Sequence, residues 1–174
     1  MKPSPVEVRA ARPADALAVA EVHVRSWQAG YRHLLPDAYL DSLRPQDRAA
    51  RYTFDRDGTD DPETIVGLVE GVIRGFATTG PARGVEDPEL GEVLALYVEP
   101  TSWRHGLGQR LMGEARRRLT AHGFMEAILW VLAGNTRAER FYRADGWLPD
   151  GARRQEQIYG VTADEVRYRR TLDR

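Results

Sequence analysis

Glycines 106 and 108 stand between an apolar run, Val93 to Val98, and a stretch with helical spacing that opens Gly106-Leu107-Gly108-Gln109-Arg110-Leu111-Met112. Glycine lets a backbone come close to a ligand, and the first turn of a helix carries unpaired N–H groups at the positive end of its dipole. The chemistry on offer is anion binding, with a phosphate or pyrophosphate held on main-chain donors. A triphosphatase loop needs Lys and then Ser or Thr after its last glycine. Gln109 and Arg110 stand there instead, and the single lysine of the chain is Lys2. A dinucleotide fingerprint needs Gly or Ala where Leu111 stands and lies early in a chain, whereas this pair lies past the middle. Taken alone, the glycine pair also fits a tight strand-to-helix turn.

A second segment narrows the reading: Asn135-Thr136-Arg137-Ala138-Glu139-Arg140-Phe141-Tyr142-Arg143-Ala144-Asp145-Gly146-Trp147, after the apolar strand Ala127 to Leu132. Asn135 suits an N-cap, Ala138, Phe141 and Tyr142 share a helical side, and Gly146 suits the position just past a helix end. Together the two segments resemble the GNAT superfamily of N-acetyltransferases, with its P-x-x-[WR]-x-x-G-x-G phosphate loop and its N-x-x-A-x-x-F-Y-x-x-x-G-[FW] helix. The resemblance runs from Val6 to about Leu172 and is sharpest over 92–112 and 127–147. Trp103 departs from the Gln or Arg frequent three residues before the first glycine; phosphate contacts made mostly by backbone tolerate this.

Composition agrees. The 174 residues, 42% hydrophobic and without an apolar run long enough to span a bilayer, predict one domain over 1–174 with a real core. Lys+Arg 25 against Asp+Glu 26 leaves a net charge of −1, which argues against nucleic-acid and membrane-surface partners. No basic start precedes an apolar segment, so the cytoplasm is the expected location. The chain has no cysteine, which removes disulfides, thiolate metal sites and a cysteine acyl-enzyme. His23, His33, His105 and His122 form no H-x-x-x-H pair, so no metal is expected.

The elements that must position these residues follow from periodicity. Val6–Ala10 reads as a strand, and Asp15–Gly30 as a helix whose Leu17, Ala20, Val24, Trp27 and Tyr31 share a face. Helices over Pro36–Leu43 and Pro45–Phe54 follow, each with proline near its start. Strands are expected at Thr64–Glu70, Val72–Thr79, Glu92–Val98 and Met125–Val131, helices at Gly106–His122 and Asn135–Asp145, and a closing pair at Trp147–Tyr159 and Glu165–Leu172. His23, Trp27 and Tyr31 recur every four residues, an aromatic stripe with polar tips that suits either core or a ligand wall.

The resemblance implies an α/β (α+β) GNAT fold. Its sheet is mixed, mostly antiparallel and of six to seven strands, in the order β-αα-βββ-α-β-α-ββ, splayed between the fourth and fifth strands. Acetyl-CoA is the implied co-substrate, without a metal. Its pantetheine would bond to backbone near Leu96 and Val98, with Tyr97 also among the cofactor-binding residues, and its pyrophosphate to the N–H groups of Arg104, His105, Gly106, Leu107, Gly108, Gln109 and Arg110. Asn135 matches the family residue that bonds the CoA arm, and Arg137 and Arg140 are candidates for a phosphate. Tyr142 matches the family residue that protonates the departing thiolate, and Glu92 the position of the general base. A base is required because an alkylammonium must lose a proton before it can attack. His23 is an alternative base, and His23, Trp27 and Tyr31 are expected to wall the acceptor pocket. The expected reaction is acetyl transfer to a primary amine by direct attack in a ternary complex; the alternative is a non-catalytic CoA-binding module. A small-molecule amine, amino acid, antibiotic or protein N-terminus would leave the same motifs, and a homodimer is compatible with them.

Overall fold

Seven strands are built from the apolar runs: β1 (Val6–Ala10), β2 (Glu63–Val69), β3 (Val72–Pro81), β4 (Leu90–Val98), β5 (Glu126–Leu132), β6 (Leu148–Ile158) and β7 (Val161–Thr171). The computed structural model describes residues 5–55, 61–158 and 160–173, so Lys2 and the expected strand end at Tyr159 lie outside the described residues. The strands form one sheet in the order β1-β2-β3-β4-β5-β7-β6. Every pairing is antiparallel except β4 with β5, which the helix α4 (Leu107–Ala121) connects as a crossover.

That parallel pairing is short. Leu90, Gly91 and Glu92 face Glu126, Ala127 and Ile128, and the ladder then stops, while β4 continues along β3 as far as Val98 and β5 along β7 as far as Leu132. The two central strands therefore diverge, and backbone groups of β4 past Glu92 are left without a strand partner on that side among the described residues. Such groups need a partner when they are not solvated.

Helix α4 covers one face of the sheet with Leu107, Leu111, Met112, Ala115 and Leu119, all buried. It lies so close that a Cβ on Gly67 or Gly75 would meet leucine side chains of α4 at 2.6 and 2.8 Å. Helix α1 (Ala16–Gly30) covers the other face with the buried residues Val19, Ala20, Val22, His23, Val24, Ser26 and Trp27. Leu17, expected on the buried face, is instead 46% exposed. Ala20, Val24 and Trp27 of the expected face are buried, and the buried arc extends past it to Val19, Val22, His23 and Ser26, the last two finding partners within the fold.

Helices α2 (Asp37–Ser42) and α3 (Pro45–Ala49) follow α1. The expected helix to Phe54 ends at Ala49, since the bonds Arg51 to Arg48 and Tyr52 to Ala49 tighten the chain out of the helix. Tyr52 and Phe54 then stack with ring centroids 5.3 Å apart. Helix α5 (Thr136–Ala144) follows β5, capped by the Asn135 side chain, which accepts from the Ala138 N–H at 3.3 Å. The last hairpin is longer than expected at the start of β7: Val161 to Asp164 pair with β6 but extend past the end of the β5 ladder. Ile158, in this overhang, and the Arg154–Glu165 pair at its edge line a small cavity beside the divergence of β4 and β5.

Candidate active site

The divergence opens a cavity of about 690 Å³ between β4 and β5, which runs from Gly106 and Gly108 to Tyr142. Strand alternation decides which β4 groups face it. The Glu99 N–H bonds to the Arg74 carbonyl and the Tyr97 carbonyl lies against Gly75, so the main chain of these two residues points toward β3. Leu96 and Val98, between and before them, direct their groups into the gap. Tyr97 is among the residues that line the cavity, while its main chain turns toward β3. The Val98 carbonyl already accepts from the Ser26 hydroxyl at 3.0 Å and from the Trp103 indole at 2.7 Å. Its N–H and the main chain of Leu96 remain for a ligand.

At the far end Gly106 precedes α4 with φ 81°, a conformation that a side chain would strain. Leu107, Gly108 and Gln109 occupy the first turn, where N–H groups have no intrahelical acceptor. The Arg110 N–H is already bonded to the Gly106 carbonyl at 3.1 Å, so the expectation for it fails because the helix has used that donor. Arg104 lines the cavity with a left-handed φ of 66°. The side chains of His105, Arg110 and Arg140 are exposed and do not line it, while the Leu107 side chain is core. Gly108 is close-packed: a Cβ there would stand 3.2 Å from the Phe141 ring.

Tyr142 lines the same cavity, packed edge-on against Phe141 with centroids 5.4 Å apart. Its hydroxyl has no hydrogen-bond partner among the described residues, and burial holds the phenol well above its ordinary range, so it stays protonated. Asn135, 7% exposed, lines the cavity while capping α5. Arg137 lies 3.8 Å over the Trp103 ring, joining α5 to the loop after β4. Burial lowers its pKa, which leaves it cationic.

A second cavity of about 80 Å³ adjoins the first and shares Tyr31, Tyr97, Trp130 and Leu132 with it. Glu92 lies on its wall, 2% exposed, one carboxylate oxygen accepting from the Arg83 N–H at 2.9 Å. Burial raises its pKa, partly opposed by that hydrogen bond. Glu92 is therefore not the solvated residue that a strand end suggests.

Trp27 lines the small cavity and Tyr31 both, the Tyr31 hydroxyl donating to Tyr97 at 3.3 Å. His23 lines neither. It is buried against Tyr97, Trp27 and Phe76, with Nδ1 2.7 Å from the Tyr52 hydroxyl, and burial with the nearby Arg48 charge lowers its pKa far enough to keep it neutral. The expectation of His23 as base or pocket wall is corrected: α1 turns it into the core. Sequence reading missed Ser26, Arg83, Trp130, Arg154 and Glu165. Nothing local marks them, because they meet only through strand order.

Residues 19–147 match the family described as the acetyltransferase (GNAT) family. The chain is 30% identical over 167 residues to the uncharacterized N-acetyltransferase YuaI of Bacillus subtilis, covering 92% of this chain and 90% of that one. It is 28% identical over 156 residues to a phosphinothricin N-acetyltransferase of Streptomyces viridochromogenes, covering 86% and 78%. Its fold matches YncA of Salmonella typhimurium, solved with its cofactor acetyl-CoA, at a TM-score of 0.71 and 20% identity, over 97% and 94% of the two chains.

Proposed function

The chain belongs to the acetyltransferase (GNAT) family and is an acyltransferase, and from that premise we propose that it moves acetyl from acetyl-CoA to a primary amine by direct attack in a ternary complex. The observation that carries this reading is the pair of adjoining cavities, one walled by a phosphate-binding helix start and an open strand edge, the other by a buried carboxylate. Both share Tyr31, Tyr97 and Trp130, so a thioester in the larger would lie within reach of an amine in the smaller.

The features suited to CoA are the free N–H groups of Leu107, Gly108 and Gln109 for its pyrophosphate and the unpaired main chain of Leu96 and Val98 for its pantetheine. Bound acetyl-CoA supplies an activated acetyl group and a thiolate leaving group. Glu92 takes the proton from the ammonium; its raised pKa moves its basicity toward neutral pH, where a general base works best. The amine nitrogen then bonds to the acetyl carbon as the carbon–sulfur bond breaks, and its second proton passes to solvent. Tyr142 gives its proton to the sulfur and regains one from that solvent, so the protons balance. Arg137, cationic beside this end of the cavity, favours the developing negative charge on sulfur.

The test is thiol release from acetyl-CoA by purified protein across a panel of primary amines, with acetylated product identified by mass. Acetyl-CoA binding without product from any amine would refute the proposal.

A further inference from the structure

The charges around the small cavity select among amines. Among its lining residues are two acidic ones, Glu92 and Glu165, and two arginines: Arg154, and the exposed Arg83, whose backbone N–H holds Glu92. Arg154 is held by three groups: its guanidinium lies 4.2 Å over the Trp130 ring, and its Nε donates to Glu165 at 2.6 Å and lies 3.6 Å from the half-exposed Glu156 carboxylate. The cross-strand pairing of Arg154 with Glu165 sets this arrangement. Its two terminal nitrogens have no acceptor among the described residues, and neither has the guanidinium of Arg83. A planar donor fork, already oriented and unsatisfied, suits bidentate binding of a carboxylate.

Charge balance points the same way. With Glu92 ionised, the four wall charges sum to zero. A simple ammonium brought beside the buried Glu92 adds a positive charge to this set and must give up water to do so. An amine that also carries a carboxylate adds none. Once Glu92 has taken the amine proton, that carboxylate balances the guanidinium charge left in excess. The cavity is small, about 80 Å³, and adjoins the larger one.

Resting on the reading of the two cavities as an acetyl-transfer site, the geometry points to a small amino acid as the acceptor class, its amine at Glu92 and its carboxylate on the Arg154 fork with Arg83 beside it. A protein N-terminus or a plain alkylamine lacks that second group.

The experiment compares L-alanine, L-alaninamide and ethylamine as acceptors at saturating acetyl-CoA, for wild type, Arg154→Gln and Arg83→Gln. The alaninamide amine is the less basic, so more of it is free for attack at neutral pH, and intrinsic chemistry favours the amide. Wild type is expected to prefer alanine over alaninamide in kcat/KM by about tenfold to a hundredfold, mostly through KM, as the loss of a charge-assisted pair implies. The preference should collapse toward unity in Arg154→Gln and shrink in Arg83→Gln. Because it is a ratio within each protein, partial misfolding cancels. Equal or better use of alaninamide or ethylamine by wild type overturns the amino-acid assignment and leaves acetyl transfer standing. An undiminished preference in Arg154→Gln overturns the role of the fork. Absence of thiol release with all three overturns the inference, and the wider amine panel shows whether acetyl transfer falls with it.

Discussion

Replacing Glu92 by Gln separates catalysis from stability with opposite signs. The carboxylate is 2% exposed, and burial raises its pKa above the ordinary carboxylate range. The fold therefore favours the neutral form, and holding Glu92 ionised at neutral pH subtracts from stability, by about 1.4 kcal/mol for each tenfold change in proton affinity. Glutamine keeps an oxygen to accept the Arg83 N–H and carries no charge. Glu92→Gln should thus melt at or above the wild-type temperature at neutral pH. The gap should close as the pH falls through the raised pKa, where the wild-type group gains its proton. Turnover moves the other way: loss of a general base typically costs ~10²–10⁴-fold. Wild-type kcat/KM should rise with pH as Glu92 ionises, and the variant should lose that limb and follow only the free-amine fraction. Thermal melts and steady-state thiol release from pH 5 to 9 check both arms. A variant with wild-type turnover and an unchanged pH profile would remove Glu92 from the mechanism, and a variant much less stable at neutral pH would show that the ionised carboxylate supports the fold.

Tyr142→Phe keeps the ring against Phe141 but removes the proton donor, so turnover should fall by up to ~10²-fold with acetyl-CoA affinity nearly intact; a collapse in affinity measured by calorimetry would assign the hydroxyl to binding. Acetyl-CoA at about 100 times its dissociation constant should add about 2.7 kcal/mol to wild-type stability. Gly108→Val, whose Cβ would stand 3.2 Å from the Phe141 ring at the helix start, should lose most of that gain in a thermal shift; an undiminished shift would misplace the phosphate cradle. Incubation with acetyl-CoA alone should give no stoichiometric acetyl-enzyme by intact mass, since the chain has no cysteine to hold a thioester; a single added acetyl that maps neither to the N-terminus nor to Lys2 would contradict direct attack.

The parts legible in the sequence are those whose geometry is set by neighbours along the chain. A left-handed Gly106, the unpaired N–H groups of the following helical turn and the Asn135 cap are contiguous, so residues 103–110 and 135–147 announce themselves without a fold. Strand periodicity likewise gives seven strands, missing mainly the early start of β7, which only its partner β6 stabilises. The rest required the tertiary structure. Periodicity places His23 and Tyr31 on one stripe of α1, yet the packing of that helix buries His23 beside Tyr52 and leaves Tyr31 at both cavities. Glu92 is buried because it lies where β4 still pairs with both β3 and β5, and it borders a cavity because the divergence begins just past it. Arg154 and Glu165 reach Glu92 across more than 60 residues of chain because β7 lies beside β5 and extends beyond it. Local sequence encodes backbone conformation; which distant charges share a cavity is decided by strand order and by where a ladder ends.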